Sequence, residues 1–139
     1  MQGHRSKGCS SQPWPQRPLR FLVVEDQGAI RQAIEMFFRV LGYHARFAEN
    51  AQTALATAAG ERFDVLLADL RLPDGDGWEL LRRLKEAGHC PPRAIAMSAW
   101  GSEAAQAKSR AAGFEAHLVK PFTPQELQAA LQGATTPAP

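Results

Sequence analysis

Short apolar runs alternate with longer stretches of helical periodicity along this chain from Leu19 onwards. A short apolar run bounded by polar or turn-forming residues is typical of a strand that is buried on both faces. Four such runs and one more mixed run predict five strands, at 21–24, 44–47, 65–68, 94–97 and 116–119.

Helical patterns follow each predicted strand. After the first strand, Ile30, Ile34, Phe37 and Leu41 recur at helical spacing, and Gly42 is a typical residue to end that helix. The five predicted helices cover about 30–41, 51–59, 78–87, 103–112 and 124–132.

Polar residues at the starts of three of these helices are typical N-caps. Asn50 and Ser102 precede the second and fourth helices, and Thr123 with Glu126 forms a capping-box pattern before the last. Five strands that alternate with five helices predict the α/β class, as a single (βα)5 domain. Its parallel sheet has right-handed crossovers and helices on both faces.

The fourth predicted helix carries small residues where an apolar face is expected. Its inward positions are predicted to be Ala104, Ala105, Ala107 and Ala111. Alanine buries little apolar area, so we expect this helix to be weakly anchored.

The two ends of the chain differ in composition from the middle. We expect residues 1–18 to be a disordered leader, residues 19–132 to form the folded domain, and residues 133–139 to be a disordered tail. No apolar stretch is long enough to span a membrane, and the leader lacks the apolar core of a secretory signal. The expected location is the cytoplasm.

Charge is unevenly distributed along the chain. The formal net charge is +2, and the leader contributes +3 through Arg5, Lys7 and Arg17 with no acidic residue. The rest of the chain therefore carries 2 − 3 = −1. Such a domain lacks the basic surface that duplex binding requires, so direct nucleic-acid binding is not expected.

Polar residues follow four of the predicted strands at the point where each strand ends. Glu25 and Asp26 follow the first, Asp69 the third, Ser98 the fourth and Lys120 the fifth. Side chains at the carboxyl ends of parallel strands meet in one crevice at the switch point of the strand order. Three carboxylates there repel one another unless a cation lies between them, and such hard oxygen ligands suit Mg²⁺. An aspartate beside a divalent ion and a lysine is a constellation suited to forming an acyl phosphate.

These residues resemble the receiver domain of two-component response regulators, over about 19–132. The resemblance rests on Val23-Val24-Glu25-Asp26, on Asp69 with Leu72-Pro73 and Asp76-Gly77, on Ser98-Ala99, and on Lys120-Pro121-Phe122. Each motif is weak alone, but four in this order at four strand ends make a specific set. The resemblance implies a flavodoxin-like fold with strand order 2-1-3-4-5.

The resemblance also implies roles for individual residues. Asp69 would be the phosphoacceptor, which takes a phosphoryl group from the phosphohistidine of a sensor histidine kinase or a histidine phosphotransfer protein. Asp26 would bind Mg²⁺ directly and Glu25 partly through water, with the backbone carbonyl of Arg71 completing the protein's ligands.

The remaining implied roles concern phosphoryl binding and the conformational switch. Ser98 and Lys120 would bind the phosphoryl oxygens, and the Lys120–Pro121 peptide bond would be cis. Ser98 would move on phosphorylation, and the side chain at 117 would fill the vacated space. The surface of the fourth helix, fifth strand and fifth helix would then contact a downstream protein.

Three positions depart from the family pattern. His117 occupies the switch position, which is usually Tyr or Phe, and is either a titrating switch or a solvated edge histidine. Trp100 lies two residues past Ser98, where it either slows water attack, contacts a partner, or packs on the adjacent helix. Arg71 lies two residues past Asp69 and either neutralises the phosphoryl group or extends into solvent.

Two other functions use similar residues. An aspartate-nucleophile phosphatase also needs Asp, Lys, Ser and Mg²⁺, but usually has a second Asp where this chain has Arg71. A partner-binding pseudo-receiver would have lost part of the site, which is intact here. We therefore predict a phosphoacceptor signalling domain, with only self-catalysed phosphotransfer and dephosphorylation and no enzymatic turnover. It either stands alone or is excised from a hybrid kinase or larger regulator.

Overall fold

The structure is a computed structural model that describes residues 18–135. Its main strands are β1 (Arg20–Val24), β2 (His44–Ala48), β3 (Val65–Asp69), β4 (Arg93–Ser98) and β5 (Ala116–Val119). Its helices are α1 (Gly28–Leu41), α2 (Ala51–Gly60), α3 (Gly77–Ala87), α4 (Glu103–Ala112) and α5 (Pro124–Thr135). Strands and helices alternate along the chain, as the sequence predicts.

The five main strands form one parallel sheet in the order β2-β1-β3-β4-β5. The predicted fold class and strand order are therefore confirmed. Because the order reverses at β1, the carboxyl ends of β1 and β3 lie side by side, and the crevice of an open α/β sheet forms there.

Residues of the central strands alternate between two hydrophobic cores, one on each face of the sheet. In β1, Phe21 and Val23 face one core, and Leu22 and Val24 face the other. The first core is completed by α1 and α5, and the second by α2 and α3. Because both faces of the sheet are covered, β1 and β3 are continuous apolar runs.

The predicted N-caps are present. Asn50 accepts a hydrogen bond from the amide of Thr53 at 2.8 Å, and Ser102 accepts one from the amide of Ala105 at 3.1 Å. The predicted capping box also forms, since the Thr123 amide donates to the Glu126 carboxylate and the Glu126 amide donates to the Thr123 hydroxyl.

Two further aspartates also cap helices, although the sequence analysis did not assign them as caps. Asp76 accepts from the amide of Glu79 and caps α3. Asp74 accepts from the amides of Ala51 and Gln52, and these bonds join the loop after β3 to the start of α2. Both aspartates lie in a segment that sequence alone identifies as a turn.

The segment between β3 and α3 contains regular structure. Arg71–Leu72 pairs with Gly75–Asp76 in a two-residue antiparallel hairpin between β3 and α3. The hairpin was not predicted, because two-residue strands leave no periodic pattern in a sequence.

The inward face predicted for α4 is wrong. Ala104, Ala107 and Ala111 are exposed, and Ser109 is the one buried residue among the ten of α4. On the buried side, the Ser109 hydroxyl hydrogen bonds with side chains of α3 and β5. Since α4 buries few of its apolar groups, the expectation of a weakly anchored helix still stands.

The ends of the chain lie partly beyond the structure. Residues 1–17 of the predicted leader and residues 136–139 of the predicted tail lie outside the described residues, and α5 extends to Thr135. Within residues 18–135, every helix is too short or too polar to cross a membrane.

Candidate functional site

Three carboxylates meet at the carboxyl edge of the sheet. Glu25 and Asp26 directly follow β1, and Asp69 ends β3, its neighbour. One carboxylate oxygen from each of the three lies within 4.8 Å of the others. Glu25 and Asp69 are buried and Asp26 is exposed, so the cluster opens to solvent on one side.

Lys120 links two of these carboxylates. Its ammonium group donates to Glu25 Oε1 at 2.7 Å and to Asp69 Oδ2 at 2.8 Å. The amide of Gln27 donates to the other oxygen of Glu25, and the amide of Arg71 donates to the other oxygen of Asp69. Each oxygen of the two buried carboxylates thus accepts a hydrogen bond, and these bonds fix the orientation of both groups.

Burial and charge change the pKa of two of these groups. Burial, opposed by the hydrogen bond from Lys120, raises the pKa of the Glu25 carboxyl above its ordinary value. Burial alone would lower the pKa of Lys120, but the hydrogen bonds to Asp69 and Glu25 outweigh it and raise that pKa. The ammonium group therefore stays charged between the two carboxylates.

The loops around Asp69 pack closely. The Lys120–Pro121 peptide bond is cis, as predicted, and the Lys120 amide donates to the carbonyl of Ser98 at 2.8 Å. A Cβ added at Gly77 would meet the carbonyl oxygen of Asp69 at 2.8 Å and the side chain of Leu70 at 2.9 Å. Glycine is therefore required where α3 begins beside the phosphoacceptor candidate.

Ser98 ends β4, the strand on the other side of β3. Its side chain is buried, and its hydroxyl accepts a hydrogen bond from the amide of Trp100 at 2.7 Å. The structure therefore places Ser98 at the predicted edge, with its hydroxyl bonded to its own loop.

The three residues that depart from the family pattern have distinct environments. His117 is half-buried on the edge strand β5, and both of its ring nitrogens are hydrogen bonded, to Ser109 and to the carbonyl of Trp100. The Trp100 ring is 37% exposed and stacks on Trp78 of α3, which agrees with the alternative of packing on a helix. Arg71 has an exposed side chain.

Sequence reasoning missed the partners of His117. The sequence analysis assigned no role to Ser109, which bonds to His117 and also to Trp78 of α3. No local signal marks Ser109, because its partners lie on α3 and β5, far away in the sequence.

An open groove of about 1200 Å³ runs from the acidic cluster along α1. Asp26, Asp69 and Lys120 line one end, and apolar residues of α1 and of the loop after β5 line the rest. Two of the latter, Met36 and Val40, are 67% and 84% exposed. The groove is thus an apolar surface that is continuous with a charged pocket.

The acidic cluster has the composition that a hard divalent cation requires. Carboxylate oxygens are the ligands that Mg²⁺ prefers, and this ion usually keeps several waters. The convergence of three carboxylates and the exposure of Asp26 on the open side fit such an ion.

The strand order defines a flavodoxin-like α/β fold, with an acidic cluster beside its switch point. The family model described as "Response regulator receiver domain" matches residues 21–132. The chain therefore belongs to the receiver domain family of two-component response regulators.

Curated relatives support this membership. The chain is 34% identical over 108 residues to the transcriptional regulatory protein ResD of Bacillus subtilis, covering 78% of this chain and 44% of ResD. It is 38% identical over 113 residues to the KDP operon transcriptional regulatory protein KdpE of Escherichia coli, covering 81% of this chain and 49% of KdpE. The chain spans about half the length of the curated relatives it matches.

Solved structures share the fold. The chemotaxis response regulator CheY4 of Vibrio cholerae superposes with a TM-score of 0.79 at 28% identity, covering 85% of this chain and 99% of CheY4. The receiver domain of the sensor histidine kinase PA1611 of Pseudomonas aeruginosa, which has a magnesium ion coordinated in its active site cleft, gives a TM-score of 0.73 at 33% identity. This match covers 86% of our chain and 98% of that domain.

Proposed function

We propose that this receiver domain is a Mg²⁺-dependent phosphoacceptor whose phosphorylated residue is Asp69. The observation that carries the proposal is the convergence of three carboxylates within 4.8 Å, with the Lys120 ammonium group bonded to two of them. A nucleophilic carboxylate, a site for a divalent cation and a fixed positive charge are the components that acyl phosphate formation requires.

The chemistry is a transfer of the phosphoryl group from nitrogen to oxygen. An oxygen of Asp69 forms a bond to phosphorus as the P–N bond of a phosphohistidine breaks, and the leaving imidazole nitrogen takes a proton from solvent. Lys120 lies at hydrogen-bonding distance from Asp69, which supports a role for its ammonium group in binding a phosphoryl oxygen. Ser98, on the adjacent strand end, would donate its hydroxyl to a second one.

Asp26, Asp69, Glu25 and the backbone carbonyl of Arg71 would hold the magnesium ion. The ion would supply charge neutralisation for the incoming phosphoryl oxygens. Glu25 is buried and already accepts from Lys120 and from the amide of Gln27, whereas Asp26 is exposed. These contacts support Asp26 as a direct ligand and Glu25 as one that acts partly through water.

The phosphodonor is a protein, either a sensor histidine kinase or a histidine phosphotransfer protein. It must bring a phosphohistidine to Asp69, and the apolar groove along α1 leads directly to that residue. Exposed Met36 and Val40 offer the apolar contact area that a protein partner buries. We therefore assign the α1 groove to the phosphodonor, and the surface of α4, β5 and α5 to a downstream protein.

Acetyl phosphate with Mg²⁺ tests the proposal without a partner protein. We expect the unaltered protein to be phosphorylated, as measured by intact-protein mass spectrometry, and Asp69→Asn to remain unmodified. Asp74→Asn is the matched control because Asp74 lies on the same loop but caps α2, and asparagine keeps an oxygen for that cap. Labelling of Asp69→Asn at another aspartate would contradict the assignment.

The acetyl phosphate assay, together with a second assay on phosphate esters, separates the two alternative functions. A phosphatase would release phosphate from phosphate esters over many turnovers, whereas a phosphoacceptor retains one phosphoryl group per chain. A partner-binding pseudo-receiver would not be labelled under any of these conditions.

A further inference from the structure

The side chain of Arg31 in α1 reaches back to the loop that carries the acidic pair. One terminal nitrogen, Nη1, donates to the backbone carbonyl of Glu25 at 3.0 Å and lies 3.5 Å from the backbone carbonyl oxygen of Asp26. The other, Nη2, lies 3.8 Å from a carboxylate oxygen of Glu49, which follows β2. Arg31 thus joins the first turns of α1 to the ends of β1 and β2.

The backbone around the acidic pair is held from two sides. The amide of Glu25 donates to the carbonyl of Ala48 in β2 at 3.0 Å, and the carbonyl of Glu25 accepts from Arg31. Asp26 itself is exposed, and its carboxylate accepts no hydrogen bond from residues 18–135. The position of this proposed metal ligand therefore depends on the backbone that Arg31 holds.

The guanidinium group of Arg31 lies where a positive charge is electrostatically unfavourable. The amino end of a helix carries a partial positive charge, and a cation bound at the acidic cluster would also repel the guanidinium group. The Arg31 side chain is 23% exposed, so water screens its charge incompletely. Local conflicts of this kind are expected at functional sites, where the contacts of the residue serve another purpose.

We propose that Arg31 is a positioning residue for Asp26 and thereby makes the acidic cluster favour Mg²⁺ over Ca²⁺. This inference rests on the proposed phosphoacceptor function. Mg²⁺ requires nearly ideal octahedral geometry at about 2.0–2.1 Å, whereas Ca²⁺ accepts irregular oxygen ligands at about 2.3–2.6 Å. A loop that is fixed through its backbone carbonyls restricts the movement of Asp26, and this restriction penalises the ion that needs the larger and more adaptable site.

Removal of the guanidinium group separates positioning from charge. Arg31→Gln removes a positive charge near the cluster, which by itself would tighten the binding of Mg²⁺ and Ca²⁺ by the same factor, since the two ions carry the same charge. The shorter glutamine side chain also withdraws the donor from the carbonyl of Glu25. Because positioning is the larger effect in our proposal, we expect Mg²⁺ to bind about tenfold more weakly and the affinity for Ca²⁺ to change less than about threefold.

A second variant keeps the charge. Arg31→Lys replaces the planar fork of donors by a point charge, and it is expected to weaken Mg²⁺ binding about threefold. Arg39→Gln is the matched control, because Arg39 lies in the last turn of the same helix, pairs with Glu35 and is 74% exposed. This control loses the same charge and is expected to leave both affinities unchanged.

Titration of the metal-free protein with magnesium chloride or calcium chloride, followed by the backbone amide signals in NMR, measures the dissociation constants. The same spectra show whether each variant is folded. Tighter Mg²⁺ binding by Arg31→Gln, or an equal factor of change for Mg²⁺ and Ca²⁺, would overturn the proposal.

A measurement on the unaltered protein covers the case in which a variant does not fold. The guanidinium N–H signals of Arg31 are expected to show restricted rotation about the Cζ–Nη bonds, because Nη1 is held by a carbonyl of the loop. Free rotation would refute the positioning role. If the unaltered protein binds no Mg²⁺, the proposed phosphoacceptor function itself fails, whereas a failure confined to the Arg31 variants leaves that function standing.

Discussion

Removal of the Lys120 ammonium group is expected to destabilise the metal-free protein in a pH-dependent way. Lys120→Met keeps most of the side-chain length and removes the hydrogen bonds to Glu25 and Asp69, at 2.7 and 2.8 Å. The Glu25 side chain is fully buried, and the Lys120 side chain is 16% exposed. The substitution therefore leaves a buried carboxylate without its cation.

The size of the effect follows from the burial of the pair. Removing one partner of a buried ion pair costs about 3–5 kcal/mol. Lys120 keeps some contact with water, so we expect the lower end, about 3 kcal/mol at pH 8. A domain of this size has a total stability of about 5–15 kcal/mol, so the loss is large.

The dependence on pH follows from the pKa of Glu25. Burial already raises this pKa in the folded state, and loss of Lys120 raises it further. For a carboxyl whose folded pKa lies above its unfolded value, the stability contribution is present below the unfolded pKa. It is lost as pH rises through the folded pKa. The stability difference between Lys120→Met and the unaltered protein is thus smaller at pH 5 than at pH 8.

Urea unfolding followed by circular dichroism, in EDTA at both pH values, measures this difference. Lys85→Met is the control, because Lys85 is exposed and donates to the carbonyl of Ala112, and its loss is expected to cost under about 1 kcal/mol. Adding Glu25→Gln to Lys120→Met removes the stranded charge and is expected to recover part of the stability. A pH-independent difference, or a double variant no more stable than Lys120→Met, would refute the reasoning.

Two further predictions concern the surroundings of the site. Gly77→Ala is expected to lower stability by about 1–3 kcal/mol, because its Cβ would lie 2.8 Å from the Asp69 carbonyl oxygen. Thermal unfolding measures this loss, and an unchanged melting temperature would contradict it. Val40→Glu places a charge in the α1 groove and is expected to slow phosphotransfer from a phosphohistidine protein at least about tenfold while leaving phosphorylation by acetyl phosphate unchanged. Equal slowing with both donors would contradict the assignment of the groove.

The fold could be predicted from the sequence because its central strands are buried on both faces. Such strands appear as continuous apolar runs, as at residues 65–68, and the alternation with helices then restricts the topology. The convergence of the site could be predicted for the same reason, because each of its residues lies at a strand end: Glu25, Asp26, Asp69 and Lys120.

Contacts between distant polar side chains could not be predicted in this way. The hydrogen bonds of Ser109 depend on how α3, α4 and β5 approach one another, which no periodic pattern encodes. Alanine spacing instead suggested an inward face for α4 that the structure contradicts. Alanine methyl groups bury little area and therefore specify the face of a helix only weakly, and the face that α4 buries carries the Ser109 hydroxyl with its two partners.

The two side chains proposed to bind phosphoryl oxygens are already hydrogen bonded in this structure. Lys120 donates to Glu25 and Asp69, and the Ser98 hydroxyl accepts from the amide of Trp100. Phosphorylation would therefore exchange these contacts for new ones instead of adding contacts to free groups. Such an exchange leaves the two conformations close in free energy. One phosphoryl group that interacts moderately better with the second conformation than with the first then suffices to shift the population between them. Substitutions that weaken the present contacts then shift the same equilibrium without phosphorylation.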